Sequence, residues 1–341
     1  MKRISVKAEN KYQVSIGDDY ARAIKQIEQE HNQVLILIPQ NLRKFVKLPT
    51  AKNVHILALP NGEAQKNIES ANRVWRELGK RNFSRQDCIV AVGGGATTDL
   101  AGFVAATWLR GITWYAIPTS LAAMVDAAIG GKTGINAASG KNLIGSFYSP
   151  RKVIIDLKFL QTLPERDISA GMAEVIKSGF IWDSKILSLL ESDVLDFEQI
   201  IYRTIKVKSK VVGRDFKESK LREILNYGHT LGHAIEKDSK YRLRHGEAVA
   251  IGLVFAAELS QILGGLSNEV VKRHRDLLKS FNLPIVYPKS KLSTLIKIMQ
   301  ADKKVKAGRI RFIGLSGVGK PIWLEEVSKA DIAKAYERIT R

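Results

Sequence analysis

Short apolar runs alternate with amphipathic stretches through the first half of the chain. Several runs end at a proline, and the run at 88–92 leads directly into three consecutive glycines. Residues 67–80 carry apolar side chains at helical spacing, which predicts a helix between two of the runs. Strands are predicted at 33–39, 54–60, 88–92, 112–117 and 153–156. Strands that alternate with helices are typical of a parallel sheet covered on both faces.

The pattern changes to helical periodicity after about residue 157. Helices are predicted at 170–182, 200–212, 221–236, 247–263 and 270–281, and strands only at 309–314 and 321–324. Pro150 and Pro164 lie on either side of the change. We therefore predict two domains: an α/β domain over 1–158 with a mainly parallel, Rossmann-like sheet, and a mainly α-helical domain over 159–341.

Composition indicates a soluble folded protein, with 45% hydrophobic and 26% charged residues among 341. The chain starts with a polar segment, which predicts no signal peptide, and its longest apolar stretch is interrupted by Asp99 and several glycines. Cys88 is the only cysteine, so an internal disulfide and a cysteine zinc cluster are both excluded. These features predict a cytoplasmic protein with no membrane partner.

The formal net charge is +20. A nucleic-acid-binding protein, an anionic substrate and a general surface bias toward lysine would each explain it. The lysines are spread along the chain among glutamates and form no long basic tail, so we favour the surface bias and expect no nucleic-acid partner.

The glycine segment Gly93–Gly95 follows a buried strand and precedes a helix predicted at 98–107. Glycines let backbone N–H groups approach a phosphate closely, and the helix N-terminus adds a favourable dipole. The segment lacks the third glycine of the dinucleotide fingerprint, and residues 130–133 lack the first glycine of a P-loop. A tight turn that binds no ligand is the alternative.

Three histidines and an acid form a candidate metal site. His229 and His233 are four residues apart on a predicted helix, and His245 starts the next helix. Glu174 lies in an apolar segment, which favours a buried carboxylate with a compensating charge. Two imidazoles and one carboxylate are typical of a catalytic divalent site. Spacing alone does not choose the two histidines and does not exclude Glu247.

Basic residues near these segments suggest an anion site. Lys132 and Lys141 lie in glycine-rich segments predicted to be loops, and a run of lysines precedes Arg222. Arg222 is two helical turns before His229 if 221–236 is one helix, so the two side chains would share a face and look into one cleft. A charged, solvated surface is the alternative. The remaining histidines, predicted to be structural or exposed, are His31, His55 and His274.

Taken together, these strings closely resemble the 3-dehydroquinate synthases of the sugar phosphate cyclase superfamily, over about residues 60–314. The matching strings are 62–66, 93–102, 108–111, 118–126, 130–134, 141–142, 172–177, 225–233, 245–247 and 302–304. The resemblance implies an NAD-binding α/β domain, a helical metal domain, tightly held NAD⁺ and one Zn²⁺ or Co²⁺ ion. It also implies a homodimer and a small sugar phosphate substrate, 3-deoxy-D-arabino-heptulosonate 7-phosphate, converted to 3-dehydroquinate and phosphate in the shikimate pathway.

The resemblance also implies roles for individual residues. Residues that match the metal ligands are Glu174, His229 and His245. Those that match the substrate site are Asp126, Lys132, Lys141, Asn142, Lys177, Lys208, Arg222, Asn226, His233 and Lys303, with Arg110 reaching the neighbouring subunit's site. Those that match the NAD contacts are Glu63, Lys66, Gly94, Gly95, Asp99, Thr119, Ser120, Phe159, Thr162 and Leu163, with Lys132 and Lys141 shared between the two sets.

Two positions depart from the family pattern. Pro39 stands about where an acid usually contacts the adenosine ribose, and Ser120 replaces a usual threonine. The first change predicts weaker or altered ribose binding, to which Asn41 could contribute. Rival functions are a related cyclase that makes an inosose or valiolone, and a metal-dependent polyol dehydrogenase. His233 and Lys303 favour dehydroquinate synthase over the first rival, and the lysines of the substrate site disfavour the second.

Overall fold

The computed structural model describes residues 1–301 and 310–340. The chain forms two compact units, Met1–Leu163 with Lys208–Lys217, and Pro164–Val207 with Glu218–Arg341. The first unit ends five residues beyond the predicted boundary at 158, and it also includes Lys208–Lys217, which lies in the predicted second domain. Lys303, a predicted substrate residue, lies outside the described residues.

The first unit is built on a seven-stranded sheet in the order β1-β2-β9-β6-β5-β3-β4. Its strands and helices are β1 (Lys2–Lys7), β2 (Lys11–Ile16), α1 (Tyr20–Glu30), β3 (Val34–Pro39), β4 (Val54–Leu59), α2 (Ile68–Lys80), β5 (Cys88–Gly93), α3 (Gly95–Thr107), β6 (Thr113–Pro118), β7 (Lys132–Ala137), β8 (Gly140–Phe147) and β9 (Lys152–Ile155). All pairings in this sheet are parallel except β1 with β2. The predicted Rossmann-like sheet is confirmed, and β3, β5 and β6 are almost wholly buried, as their continuous apolar runs require.

The strand order of this sheet contains a reversal of the kind at which ligands bind. The chain runs from β3 outward to β4, returns to β5 beside β3, and then continues in the other direction through β6 and β9. The reversal falls between β3 and β5, and ligands of open parallel sheets bind beyond the carboxyl ends of the strands at such a point. The glycine segment at Gly93–Gly95 follows β5 at this reversal.

Several elements of the first unit differ from the prediction. The antiparallel hairpin of β1 and β2 was not predicted, although Ile4 and Val6 alternate inward along β1. Residues 132–147 form an antiparallel hairpin of β7 and β8, not the predicted glycine-rich loops. The glycines allow the two strands to approach, because a Cβ on Gly134 would lie 2.6 Å from the carbonyl oxygen of Ile144.

The second unit is mainly helical, as predicted. Its elements are α4 (Glu165–Ile181), α5 (Ser184–Leu190), α6 (Phe197–Arg214, shared with the first unit from Lys208 onward), α7 (His229–Asp238), α8 (His245–Gly264), α9 (Asn268–Ser280), α10 (Leu292–Ala301), β10 (Phe312–Gly317), β11 (Lys320–Leu324) and α11 (Lys329–Glu337). By length and composition α8 could cross a membrane, but 83% of its most apolar window is buried inside the protein. It is the central helix of this unit and packs against α4, α7, α9 and α11.

The helix predicted over 221–236 is wrong as a single element. A short 3-10 segment, Leu221–Asn226, ends at Tyr227, and α7 starts at His229 after Gly228 with a φ of +78°. The left-handed glycine turns the backbone, so Arg222 and His229 do not share a helix face. The predicted shared face of these two residues is therefore wrong.

Candidate active site

Three helices of the second unit bring the predicted metal ligands together. Glu174 lies inside α4, His229 is the first residue of α7, and His245 is the first residue of α8. The Oε1 atom of Glu174 lies 3.3 Å from Nε2 of His229 and 3.4 Å from Nε2 of His245. Three potential ligand atoms from three separate elements thus converge on one point.

Hydrogen bonds on the far side of each imidazole fix its orientation. Nδ1 of His229 donates to the carbonyl oxygen of Tyr227 at 3.1 Å, and Nδ1 of His245 donates to the Glu236 carboxylate at 3.1 Å. Because both partners are acceptors, Nδ1 of each ring carries a proton, and Nε2 of each ring faces Glu174. Such outer partners are typical of metal-binding histidines. Neither Tyr227 nor Glu236 was singled out from the sequence.

Glu174 is 2% exposed, and its two oxygens differ in environment. Oε2 accepts from the Lys177 ammonium one turn along α4. Oε1 is buried and accepts no hydrogen bond. Burial opposes ionisation, but Lys177 and His229 outweigh it and hold the pKa of Glu174 well below its ordinary value. The carboxylate is therefore charged at neutral pH.

The two histidines differ in their protonation. Burial and the charge of Lys177 lower the pKa of His229, so its ring is neutral at pH 7. Burial also disfavours the charged form of His245, but the neighbouring carboxylates of Glu174 and Glu236 outweigh it and raise the pKa of His245 to about 10. A proton is thus held at the point where a cation would be.

The donor set fits a divalent ion. Two ligands bound about 2.0–2.1 Å from a tetrahedral zinc ion lie about 3.3 Å apart. This matches the separation of the Glu174 oxygen from each imidazole nitrogen. A buried carboxylate oxygen that accepts no hydrogen bond is costly unless a cation or donor reaches it. One carboxylate and two imidazoles also suit zinc and cobalt.

Glycines set the spacing of the three helices. A Cβ on Gly252 of α8 would lie 2.0 Å from the carbonyl oxygen of Gly228, and one on Gly246 would lie 1.8 Å from that of Ala170 in α4. A Cβ on Gly232 would lie 3.2 Å from the α8 backbone. Gly228 and Gly232 therefore permit the close approach of α8.

Other predicted residues of the second unit have varied surroundings. The His233 ring lies 5.3 Å from the His229 ring and 5.9 Å from the His245 ring, so it borders the triad. Arg222 is fully buried in the 3-10 segment, and the Asn226 amide donates to Glu218 at 2.9 Å. His233, Glu236 and His245 form a second group with metal-ligand spacing, which shares His245 with the first.

Glu247, which spacing could not exclude as a ligand, is engaged elsewhere. Its carboxylate receives two hydrogen bonds from the Arg166 guanidinium, at 2.5 and 2.9 Å, and accepts from the backbone N–H of Arg244 at 2.8 Å. The last contact caps the first turn of α8. Glu247 therefore secures the start of the helix that carries His245.

In the first unit, predicted NAD contacts follow neighbouring strands of the sheet. Gly94 and Gly95 follow β5, Thr119 and Ser120 follow β6, and the segment 157–163 follows β9. Parallel pairing puts all these strand ends at one edge. A Cβ on Gly94 would lie 3.4 Å from the Ser120 hydroxyl, so the two segments are in contact. Phe159 packs against Tyr20, with ring centroids 5.0 Å apart.

Lys66 joins a second group of predicted residues at the same unit. Its buried ammonium donates to Asp99 at 2.7 Å and to the side-chain oxygen of Asn142. Burial raises the pKa of Asp99, against the effect of Lys66. Asn136, which the sequence did not single out, donates to Glu63 at 2.7 Å and accepts from the Asn142 backbone N–H at 3.0 Å. One network therefore links four predicted residues.

The remaining predicted residues of the first unit are more dispersed. The Lys208 ammonium donates to both the carboxylate and the carbonyl oxygen of Asp126, each at 2.6 Å. Lys132 starts β7 opposite Phe147, whereas Lys141 lies beside the turn of the hairpin. At about 3.4 Å per residue along a strand, the hairpin holds these two lysines well apart. Arg110 has a left-handed φ of +63°.

Comparison with known families identifies the fold. Residues 56–170 match the family model described as 3-dehydroquinate synthase N-terminal, and residues 171–305 match that described as 3-dehydroquinate synthase C-terminal. The chain belongs to the 3-dehydroquinate synthase family. A relative named 3-dehydroquinate synthase from Corynebacterium diphtheriae is 46% identical over 99% of both chains. The resemblance stated from sequence strings is confirmed.

Solved structures agree with this family fold. A 2-deoxy-scyllo-inosose synthase complexed with carbaglucose-6-phosphate, NAD⁺ and Co²⁺ has a TM-score of 0.83 and 26% identity, covering 99% of this chain and 100% of the other. The 2-epi-5-epi-valiolone synthase ValA from Streptomyces hygroscopicus subsp. jinggangensis, with NAD⁺ and Zn²⁺ bound, has a TM-score of 0.87 and 24% identity, covering 98% of each chain. The second likeness shows the fold alone. The predicted fold class is confirmed.

Proposed function

We propose that the protein is a 3-dehydroquinate synthase, a phosphate-eliminating lyase of aromatic amino acid biosynthesis. Its substrate is 3-deoxy-D-arabino-heptulosonate 7-phosphate, and its products are 3-dehydroquinate and phosphate. The observation that carries the proposal is 46% identity to a named synthase over 99% of both chains. The convergence of Glu174, His229 and His245 supports it chemically.

The triad of Glu174, His229 and His245 would hold one Zn²⁺ or Co²⁺ ion. It is preferred to the group of His233, Glu236 and His245, because Oε1 of Glu174 is buried without a hydrogen bond. In the second group, Glu236 already binds Nδ1 of His245 and serves to orient it. His233 is assigned to the substrate, beside the ion.

NAD⁺ would bind at the carboxyl edge of the sheet in the first unit. The shared edge of the strands and the close backbone approach at Gly94 support this assignment. The residues proposed to contact NAD⁺ are Glu63, Lys66, Gly94, Gly95, Asp99, Thr119, Ser120, Lys132, Lys141, Phe159, Thr162 and Leu163.

The chemistry of the reaction matches the residue types. Bound ion would make a coordinated substrate hydroxyl more acidic, and NAD⁺ would take up a hydride and return it in each turnover. Positive side chains would neutralise the phosphate and carboxylate of the substrate. The residues proposed for the substrate are Arg110, Asp126, Lys132, Lys141, Asn142, Lys177, Lys208, Arg222, Asn226, His233 and Lys303. We also propose a cytoplasmic homodimer in which Arg110 reaches the site of the neighbouring subunit.

Phosphate release tests the proposal. Protein supplied with Zn²⁺ or Co²⁺ and NAD⁺ should release one phosphate per heptulosonate phosphate consumed, with no net NADH, and a chelator should stop the release. Glucose 6-phosphate, whose carba analogue occupies the inosose synthase, is the matched substrate control and should release none. Phosphate release from glucose 6-phosphate alone would instead indicate the related cyclase. Stoichiometric NADH would indicate a polyol dehydrogenase.

A further inference from the structure

Tyr227 orients one histidine of the triad through its backbone. Its carbonyl oxygen accepts the Nδ1 proton of His229 at 3.1 Å, and Nε2 of the same ring lies 3.3 Å from Glu174. The position of this single carbonyl therefore sets the direction of the His229 lone pair. Gly228, which follows Tyr227, has a left-handed φ of +78° and is the residue immediately before α7. The carbonyl thus lies at a turn, where the ladder of a regular helix does not hold it.

The side chain of Tyr227 holds this turn in place. The phenol is fully buried, and its hydroxyl lies 3.0 Å from Nε2 of His274 in α9. Nδ1 of His274 donates to the carbonyl oxygen of Val270 at 2.7 Å, so Nε2 is the acceptor and the Tyr227 hydroxyl is the donor. Burial lowers the pKa of His274 to about 3, which keeps the ring neutral and its lone pair available.

His274 is itself held against the helix that carries Glu174. Its ring stacks on Phe180 of α4, with centroids 3.4 Å apart and planes 12° apart. A continuous set of contacts therefore runs from α4 through His274 and Tyr227 to His229. Both ends of this set carry a member of the triad, because Glu174 lies on α4.

We propose that the Tyr227–His274 hydrogen bond is a positioning device for the metal site. It holds the Tyr227 carbonyl where it orients His229 toward Glu174, and so strengthens the binding of a divalent ion. Neither side chain belongs to the proposed metal ligands or substrate residues, so both are assigned as positioning residues. The inference deepens the proposed function and rests on it. It gives His274, which the sequence suggested was structural or exposed, a role in the site.

Metal affinity tests the proposal without any turnover. Chelator-stripped full-length protein is titrated with Zn²⁺ against a chromophoric chelator, and then with Co²⁺ while its visible absorption is recorded. Tyr227→Phe removes only the hydroxyl and should weaken Zn²⁺ binding about tenfold or more, the effect typical of lost outer partners. The Co²⁺ absorption bands should shift in the same variant, because the His229 ligand is reoriented.

Two changes at His274 separate positioning from packing. His274→Phe keeps the stack on Phe180 but removes the acceptor, and it should weaken Zn²⁺ binding as much as Tyr227→Phe does. The double variant should lose no more than either single one, because both break the same bond. His274→Gln keeps an acceptor oxygen and should regain most of the affinity.

Tyr336→Phe is the matched control. Tyr336 is also buried, and its hydroxyl donates to the carbonyl oxygen of Pro288 at 2.8 Å, so the variant loses a similar bond outside the set that leads to His229. Its Zn²⁺ affinity should stay within about twofold of the original. A folded Tyr227→Phe protein with unchanged affinity and Co²⁺ spectrum would overturn the inference, as would an equal loss in Tyr336→Phe. Failure of the unaltered protein to bind any divalent ion would overturn the metal site instead.

Discussion

A methyl group added at Gly252 should push apart the helices that carry two of the triad residues. The Cβ of an alanine there would lie 2.0 Å from the carbonyl oxygen of Gly228, and separations under 3.0 Å are essentially never observed. Either α8 or the turn before α7 must therefore move by about 1 Å or more. The obstacle is backbone, so no side-chain rotation relieves it. His229 directly follows that turn, and His245 starts α8.

Two magnitudes follow for Gly252→Ala. Overpacking costs about 1–3 kcal/mol, and a rigid backbone obstacle favours the upper end. The better helix propensity of alanine returns about 1 kcal/mol, so the net loss of unfolding free energy should be about 2 kcal/mol. A shift of about 1 Å also exceeds the roughly 0.2 Å tolerance of metal-ligand distances. Zn²⁺ affinity should therefore fall at least about tenfold, the lower end of losses on disturbing a metal site's surroundings.

Thermal unfolding with and without added Zn²⁺, together with zinc content after dialysis, measures both effects. Gly79→Ala in α2 is the matched control, because its Cβ would meet only Trp108 at an ordinary 3.5 Å. That variant should be as stable as the original or more stable, by up to about 1 kcal/mol. The reasoning is refuted if Gly252→Ala unfolds at the original temperature and retains one zinc ion per chain.

Three further predictions concern the site. Glu174→Ala should abolish zinc retention. Glu247→Gln should retain the ion and lower only thermal stability, because Glu247 binds Arg166 and caps α8. Zinc analysis after dialysis distinguishes the two variants, and stoichiometric zinc in Glu174→Ala would refute the ligand assignment. Zn²⁺ affinity should rise about tenfold per pH unit between pH 7 and 9, because an ion must displace the proton of His245, whose pKa is raised to about 10. In the metal-free protein, the stabilisation that this proton gives is complete below about pH 6.5 and is lost as pH rises through 10. Calorimetry of Zn²⁺ binding in buffers of different ionisation enthalpy counts the released protons, and a count of zero would contradict displacement of the His245 proton. Asn136→Ala should weaken NAD⁺ binding about tenfold without changing zinc content, since it breaks the network around Lys66. Fluorescence titration with NADH measures the affinity, and an unchanged affinity would exclude the network from the nucleotide site.

Hydrophobic periodicity predicted the buried central strands of the sheet, but it missed the edge strand β1 and the β7–β8 hairpin. The strands β3, β5 and β6 are buried on both faces, so their continuous apolar runs were unambiguous. The edge strand β1 carries only two inward apolar residues between polar and charged ones, a weaker signal that nonetheless has the period of a strand. Sequence predicts loops where the β7–β8 hairpin lies, because glycines permit turns as readily as they permit close strand approach.

The break in the backbone before α7 could not be predicted from residue spacing, because a glycine again decides the structure. Apolar residues keep helical spacing through 221–236, and the interruption depends on the backbone of Gly228 alone. That glycine adopts its left-handed conformation where α8 presses closely on it, with the Leu253 backbone N–H only 2.8 Å from a would-be Cβ. Tertiary contact decided the local structure here. Residue spacing therefore identified the candidate histidines, but it wrongly predicted that Arg222 shares a helix face with His229.

The members of the triad show where spacing stops being informative. His233 has the i, i+4 relation to His229 that favours a shared ion, yet His245 is the residue whose Nε2 lies 3.4 Å from Glu174. What brings His245 there is the contact of α8 with α4, where Gly246 meets the Ala170 carbonyl with no room for a side chain. Helical spacing indicates which residues are neighbours on a single helix, whereas this site takes one residue from each of three helices. Family resemblance named the set, and close helix packing supplies its physical cause.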